Sequence, residues 1–421
     1  MFCASKLQEG EAMARRNKKS SFGPGFLVAA AFIGPGTVTS CSLAGANFGY
    51  ALLFAIAFAI VTAIILQEMT GRLSLGSRLD LGQSLREFPQ RSTTRTLFAL
   101  LTLSSIPLGC AAYEAGNIIG GSLGLEMATS IPQRYWIALI SLLAIFLLNR
   151  RNYKLIEKFL IFLVFLMSIS FLTTVIIYKP NFISILKGLI PSLTKDKEAI
   201  KLILALVGTT VVPYNLFLHS SAVKEKWKSI AHLKDMKRDL LLSISLGGII
   251  SASIVITSAV AFYEKGITLE EGAQLAQQLK PLFGSLTTVL FGIGFFAAGL
   301  SSALTAPYAA AFASSGVLNW KGGHDSQGFR GVWLGVIMVG FIVSQLQLYF
   351  NFKPLEVILF AQVANGLILP IACIFLFVIL NNRKKIGNLA NNSLQNLLGG
   401  LVILIVSLLG VWSILKLFFL K

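Results

Sequence analysis

What most constrains this chain is a series of apolar runs too long for the interior of a soluble domain. Residues 50–66, 155–177 and 354–380 are three of them. Each reaches or exceeds the ~17–25 residues that cross a bilayer. Only 13% of the 421 residues are charged, about half the roughly 25% of a soluble domain. Most of the chain therefore never meets water. The runs predict an all-α membrane protein of about eleven transmembrane helices. We number these spans 1 to 11, near residues 22–49, 51–70, 96–124, 134–149, 154–178, 200–223, 239–263, 281–316, 331–349, 354–380 and 395–420. Residues 1–21 precede them as a basic segment without the pattern of a cleavable signal peptide, and are expected to stay on the mature chain. Residues 22–421 are expected to form a single transmembrane domain.

The net charge of +18 would suggest nucleic acid in a soluble protein. Here its placement gives another reading. With the N-terminus inside, the cytoplasmic face collects the majority of the 36 Lys and Arg. They lie in the head (Lys6, Arg15, Arg16, Lys18, Lys19) and in the 2–3, 4–5, 6–7, 8–9 and 10–11 loops. Glu264, Glu270 and Glu271 in the 7–8 loop suit the outer face. This is the positive-inside pattern. It places the N-terminus in the cytoplasm and the C-terminus outside, in the plasma (cell inner) membrane. No nucleic-acid partner is implied; the lipid bilayer is the partner, and the basic loops also suit anionic lipid.

Cys3, Cys41, Cys110 and Cys373 are far apart, so neither a disulfide framework nor a Cys/His metal site is implied. The three histidines are His219, His232 and His324, and no HExxH pattern is present. The chain is read as neither an enzyme nor a cofactor protein. A channel and a transport-dead sensor are the remaining rivals to a carrier.

Two spans are interrupted in matching positions. Span 1 carries Gly34-Pro35-Gly36-Thr37 in mid-membrane, and span 6 carries Val211-Val212-Pro213-Tyr214-Asn215. Proline removes a backbone donor and clashes with the preceding turn, and glycine permits unwound backbone. Five spans separate the breaks, and because five is odd the second unit must be inserted inverted. The expected units are about 22–178 and about 200–380, with an extra helix at about 395–420. Paired interrupted helices point to the central site of a secondary transporter, since unwound backbone at membrane depth survives only where it lines a cavity or is buried.

From about residue 23 to 384 the chain resembles the NRAMP family of proton-coupled divalent metal transporters, which have a LeuT-type inverted-repeat fold. The run Gly208-Thr209-Thr210-Val211-Val212-Pro213-Tyr214-Asn215 with Leu216 to Ser220, the stretch Ala298 to Ser302, and Gln362-Val363 through Leu369-Pro370 carry the likeness. The resemblance implies helices 1–5 and 6–10 as the two repeats. The site departs from the family pattern. Gly34 stands where the family has its metal-binding Asp, Thr37 where it has Asn, Val212 where it has Met, and Tyr214 where it has His. The family's Asp-x-x-Glu pair in span 3 aligns with Glu114-x-x-Asn117.

These departures lead us to expect no transition-metal transport and no metal site. Without a carboxylate, the half-helix beginning after Gly36 presents free N–H groups and a positive dipole end. A small anion such as bicarbonate is the leading expectation, held by Gly34, Pro35, Gly36, Thr37, Thr209, Thr210, Val212, Tyr214, Asn215 and Gln362. A divalent cation, Mg²⁺ or Mn²⁺, is the alternative, with an uncharged or zwitterionic solute behind it. Na⁺ or H⁺ is the expected coupling ion. Glu114, Asn117 and His219 are the candidates for a proton path, and Ser301, Ser302 and Thr305 of span 8 for Na⁺. Hydrogen-bonded packing is an equal reading of His219, and helix packing a reading of the span 8 hydroxyls.

Overall fold

The computed structural model describes residues 23–25, 28–29, 33–89, 91–150, 154–191, 196–320 and 325–418. The basic head, Lys321, His324 and much of the first half of span 1 lie outside them. No strand occurs among the described residues. Among the described residues nine helical stretches are long and apolar enough to cross a membrane, the two halves of span 6 counting together as one.

The second half of span 1 is α1 (Pro35–Phe48), and spans 2 to 5 are α2 (Leu53–Ser77), α3 (Ser92–Thr129), α4 (Gln133–Arg150) and α5 (Lys154–Tyr178). Span 6 is two helices, α6 (Lys197–Thr210) and α7 (Pro213–Lys226). Spans 7 to 11 are α8 (Leu233–Ala261), α9 (Thr287–Leu318), α10 (Gln327–Tyr349), α11 (Pro354–Leu380) and α12 (Ser393–Phe418). Two expected spans fall short of a clear membrane span. α1 is 14 residues, half of an interrupted span. α4 is 18 residues, with Gln133, Arg134, Asn149 and Arg150 at its ends diluting its apolar middle.

α3 is the organising helix, packing along α9, α10 and α11. In a bilayer, helices gain little from hiding apolar surface and associate through close backbone contact. The α3–α9 crossing meets this need with glycine: a Cβ on Gly299 would lie 2.5 Å from the Cα of Gly121. α1 packs on α8, α6 and α11, and α7 packs on α2. The N-terminal start of span 1 is capped from another helix, because the Gly25 amide donates to Asp239 Oδ2 at 2.7 Å. Cys41, Cys110 and Cys373 are free and buried.

Candidate substrate site

Both breaks open a new helix on a proline, which supplies no N–H at a position where none is needed. Gly34 is extended (φ −123°, ψ −173°) and Pro35 begins α1. In span 6, α6 ends at Thr210, Val211 and Val212 leave the helical region, and Pro213 begins α7. The N-terminal ends of α1 and α7 and the C-terminal end of α6 therefore lie at the breaks. The two breaks are joined directly: the hydroxyls of Thr37 and Thr209 are 2.8 Å apart, either being able to donate.

α3 and α11 wall the space between them. The Gln362 amide lies over Gly36, where a Cβ would come within 2.2 Å of its Nε2. Gln362 Nε2 donates to the Ile358 carbonyl at 3.3 Å, and its Oε1 has no hydrogen-bond partner among the described residues. Tyr214 meets Tyr113 of α3 edge to face, with ring centroids 5.6 Å apart. The hydroxyls of both tyrosines and both polar atoms of Asn215 are likewise buried without a partner. An unmatched buried polar group costs about 1–3 kcal/mol, so several in one place mark a site that a ligand or water completes.

Not every expected residue joins this cluster. Thr210 turns its hydroxyl back to the Leu206 carbonyl at 2.8 Å, and Thr305 does the same to Ser301 at 2.9 Å. Val212 is fully buried and supplies no polar side-chain atom. Ser301 is half-buried, whereas Ser302 faces Gly34. Glu114 points elsewhere: its side chain packs on Gly340 of α10, and Asn117 Nδ2 donates to its Oε2 at 3.3 Å. His219 sits against α2, its Nδ1 3.0 Å from the Thr70 hydroxyl. Glu114 and His219 are each fully buried but outside the break site.

The residue missed from sequence is Tyr113. Helical geometry turns neighbouring side chains by about 100°, so if Glu114 faces α10, its neighbour faces the breaks. The charge on Glu114 is the more conspicuous signal and hides this. Among the described residues, no three His, Cys, Asp or Glu side chains gather where they could hold a metal ion. An ion in this site would meet neutral oxygens.

The profile for Natural resistance-associated macrophage protein-like proteins matches residues 25–416. The divalent metal cation transporter MntH of Brucella suis is 28% identical over 389 residues, 89% of this chain and 83% of that protein. MntH of Bacillus subtilis is 26% identical over 418 residues, 97% and 95% of the two chains. In solved structures, the Eremococcus coleocola manganese transporter superposes with a TM-score of 0.78 at 22% identity, covering 94% of this chain and 87% of that one. The nucleobase-cation symporter Mhp1, another LeuT-type transporter, gives 0.60 at 15% identity, covering 95% and 94%.

These relatives overturn the expectation of a small anion such as bicarbonate and, with it, the exclusion of metal transport, because their names are those of divalent metal cation transporters. The N-terminal end of α1 does not act alone: the N-terminal end of α7 and the carbonyl end of α6 meet at the same breaks, and the unwound carbonyls of α6, of opposite sign, are open to a cation. The profile match spans nearly the whole chain, and with the LeuT-type fold and its paired breaks it makes this multi-pass membrane protein a member of the Nramp family.

Proposed function

We propose that this chain is a secondary carrier that moves a divalent metal cation, Mg²⁺ or Mn²⁺, by alternating access at the paired breaks. The observation that carries the reading is the cluster of buried, unpartnered neutral groups on Tyr113, Tyr214, Asn215 and Gln362 beside the Thr37–Thr209 contact. Its oxygens are hard donors, which suit Mg²⁺ and Mn²⁺ rather than soft metals. The unwound carbonyl end of α6 adds negative partial charge, the arrangement by which broken helices coordinate cations. The names of the curated relatives support the same class of substrate.

The carrier would work in the plasma membrane, with its N-terminus in the cytoplasm and its C-terminus outside, coupled to H⁺ or Na⁺. Glu114 with Asn117 is our candidate for the proton path, because a carboxylate in mid-membrane is costly unless it has a function. His219 is a second candidate. Gly34, Pro35, Gly36, Thr37, Thr209, Val212, Tyr214, Asn215 and Gln362 line the substrate site, Gly34 and Val212 through backbone and shape alone. The test is uptake into proteoliposomes with imposed proton or Na⁺ gradients. Saturable, gradient-dependent uptake of Mg²⁺ or Mn²⁺ is expected. Failure to take up either ion above empty vesicles would refute the reading.

A further inference from the structure

The absent side chain at position 34 leaves no hole. A Cβ built on Gly34 would lie 2.7 Å from Ser302 Oγ and 3.6 Å from the Tyr113 hydroxyl oxygen. One group comes from α9 and the other from α3, the two helices locked together at Gly121 and Gly299. Both residues are buried, Tyr113 completely. The Tyr113 hydroxyl also faces the side chains of Thr209 and Tyr214, yet it satisfies hydrogen-bond geometry with neither. It is a buried polar group aimed at the breaks and held there by a rigid pair of helices.

We infer that Tyr113 and Ser302 are the specificity-determining residues of this site: their hydroxyls fill the place of a span 1 side chain and present neutral oxygens to a divalent cation that keeps part of its water. The inference rests on the cation reading above and refines it. A carboxylate contributes a full charge that offsets the loss of hydration water, and a neutral hydroxyl contributes only a dipole. Mg²⁺ gives up water reluctantly and is commonly held through its remaining waters. A phenol oxygen, Gln362 Oε1 and Asn215 Oδ1, each buried without a partner among the described residues, can accept hydrogen bonds from such waters. The arrangement also hinders a return to a carboxylate at position 34. A side chain at position 34 requires the Ser302 hydroxyl to turn away.

The test compares wild type, Tyr113→Phe, Gly34→Asp, Ser302→Ala and the double variant Gly34→Asp/Ser302→Ala in proteoliposomes, using Mg²⁺ and Mn²⁺ as the transported probes. Each variant is first checked for a monodisperse elution profile. Tyr113→Phe removes one oxygen and should raise KM for Mg²⁺ about tenfold, the effect of losing a hydrogen bond to a charged group, with kcat changed less than twofold. Gly34→Asp alone should gain nothing, whereas the double variant should lower KM for Mn²⁺ about tenfold relative to either single change. An unchanged KM in Tyr113→Phe, in protein that transports normally, overturns the inference and leaves the carrier reading standing. Equal gains from Gly34→Asp and the double variant overturn the role of Ser302. Wild-type protein that carries neither ion defeats the carrier reading and takes this inference with it.

Discussion

Two polar regions of the bundle are equally deep among helices and differently finished. At the end of α2 that the charge pattern assigns to the cytoplasm, Arg72 is almost completely buried with every arm engaged. Its Nε donates to Glu68 Oε2 at 3.2 Å, Nη1 to the Leu389 carbonyl at 2.7 Å and Nη2 to Asn391 Oδ1 at 2.8 Å. Lys237 of α8 lies 3.0 Å from the other Glu68 oxygen. The cluster at the breaks has no such closure: Tyr113, Tyr214, Asn215 and Gln362 all keep unmatched atoms. The charged region fastens α2 to α8 and to the segment before α12. The neutral region is incomplete until something enters it. Polarity at depth therefore has two meanings, and the state of its partners separates them.

The contrast yields an ordered set of outcomes. The largest effect on stability should come from Arg72→Met, which removes a buried cation and strands the Leu389 carbonyl and Asn391. A loss of about 3 kcal/mol is expected, in line with breaking one side of a buried charged cluster. It would be read as a lower melting temperature in detergent, with substrate KM unchanged in whatever protein survives. Thr209→Val should do the reverse. It keeps the shape, removes the hydroxyl contact with Thr37, and should cost about 1 kcal/mol of stability while reducing uptake several-fold. A larger loss of melting temperature for Thr209→Val than for Arg72→Met would reverse the assignment of fastening and function. The smallest effect belongs to Lys353→Ala. Its Nζ is 3.0 Å from Glu270 Oε2 on an exposed rim, where water and salt screen the pair. Neither melting temperature nor uptake should change measurably. A clear loss there would mean that burial is not what distinguishes the Arg72 cluster.

Much of the fold was legible in advance because its causes are local. Apolar run length predicts where helices lie, and the described helices follow the expected spans closely, α2, α3 and α8 extending beyond them and α9 beginning inside its own. The two breaks were legible for a similar reason, although proline alone does not make a break. Pro107, Pro307 and Pro370 sit inside continuous helices, while Pro35 and Pro213 begin new ones. Glycine on both sides of Pro35 distinguishes the first break. The second, behind Val211 and Val212, was legible mainly through its matching position and the family resemblance.

The site was legible as a location and not as a set of contacts. Thr37, Thr209, Tyr214 and Gln362 do gather at the breaks, but Thr210 and Thr305 spend their hydroxyls on their own helices. Glu114 and His219 face α10 and α2. Tyr113 was overlooked beside a more conspicuous carboxylate. The misjudged substrate has the same origin, since the field at a broken helix depends on every terminus that meets there, and sequence displays them one at a time.

By itself, then, the sequence determined a membrane-spanning helical bundle with two matched interruptions, because bilayer-length apolar runs and the missing amide of proline act on the residues that carry them. Only the tertiary structure decided which polar groups remain without partners and what fills the space at Gly34. Those are distances between atoms far apart along the chain, Tyr113 and Ser302 against position 34, and they exist only once α3 and α9 have packed.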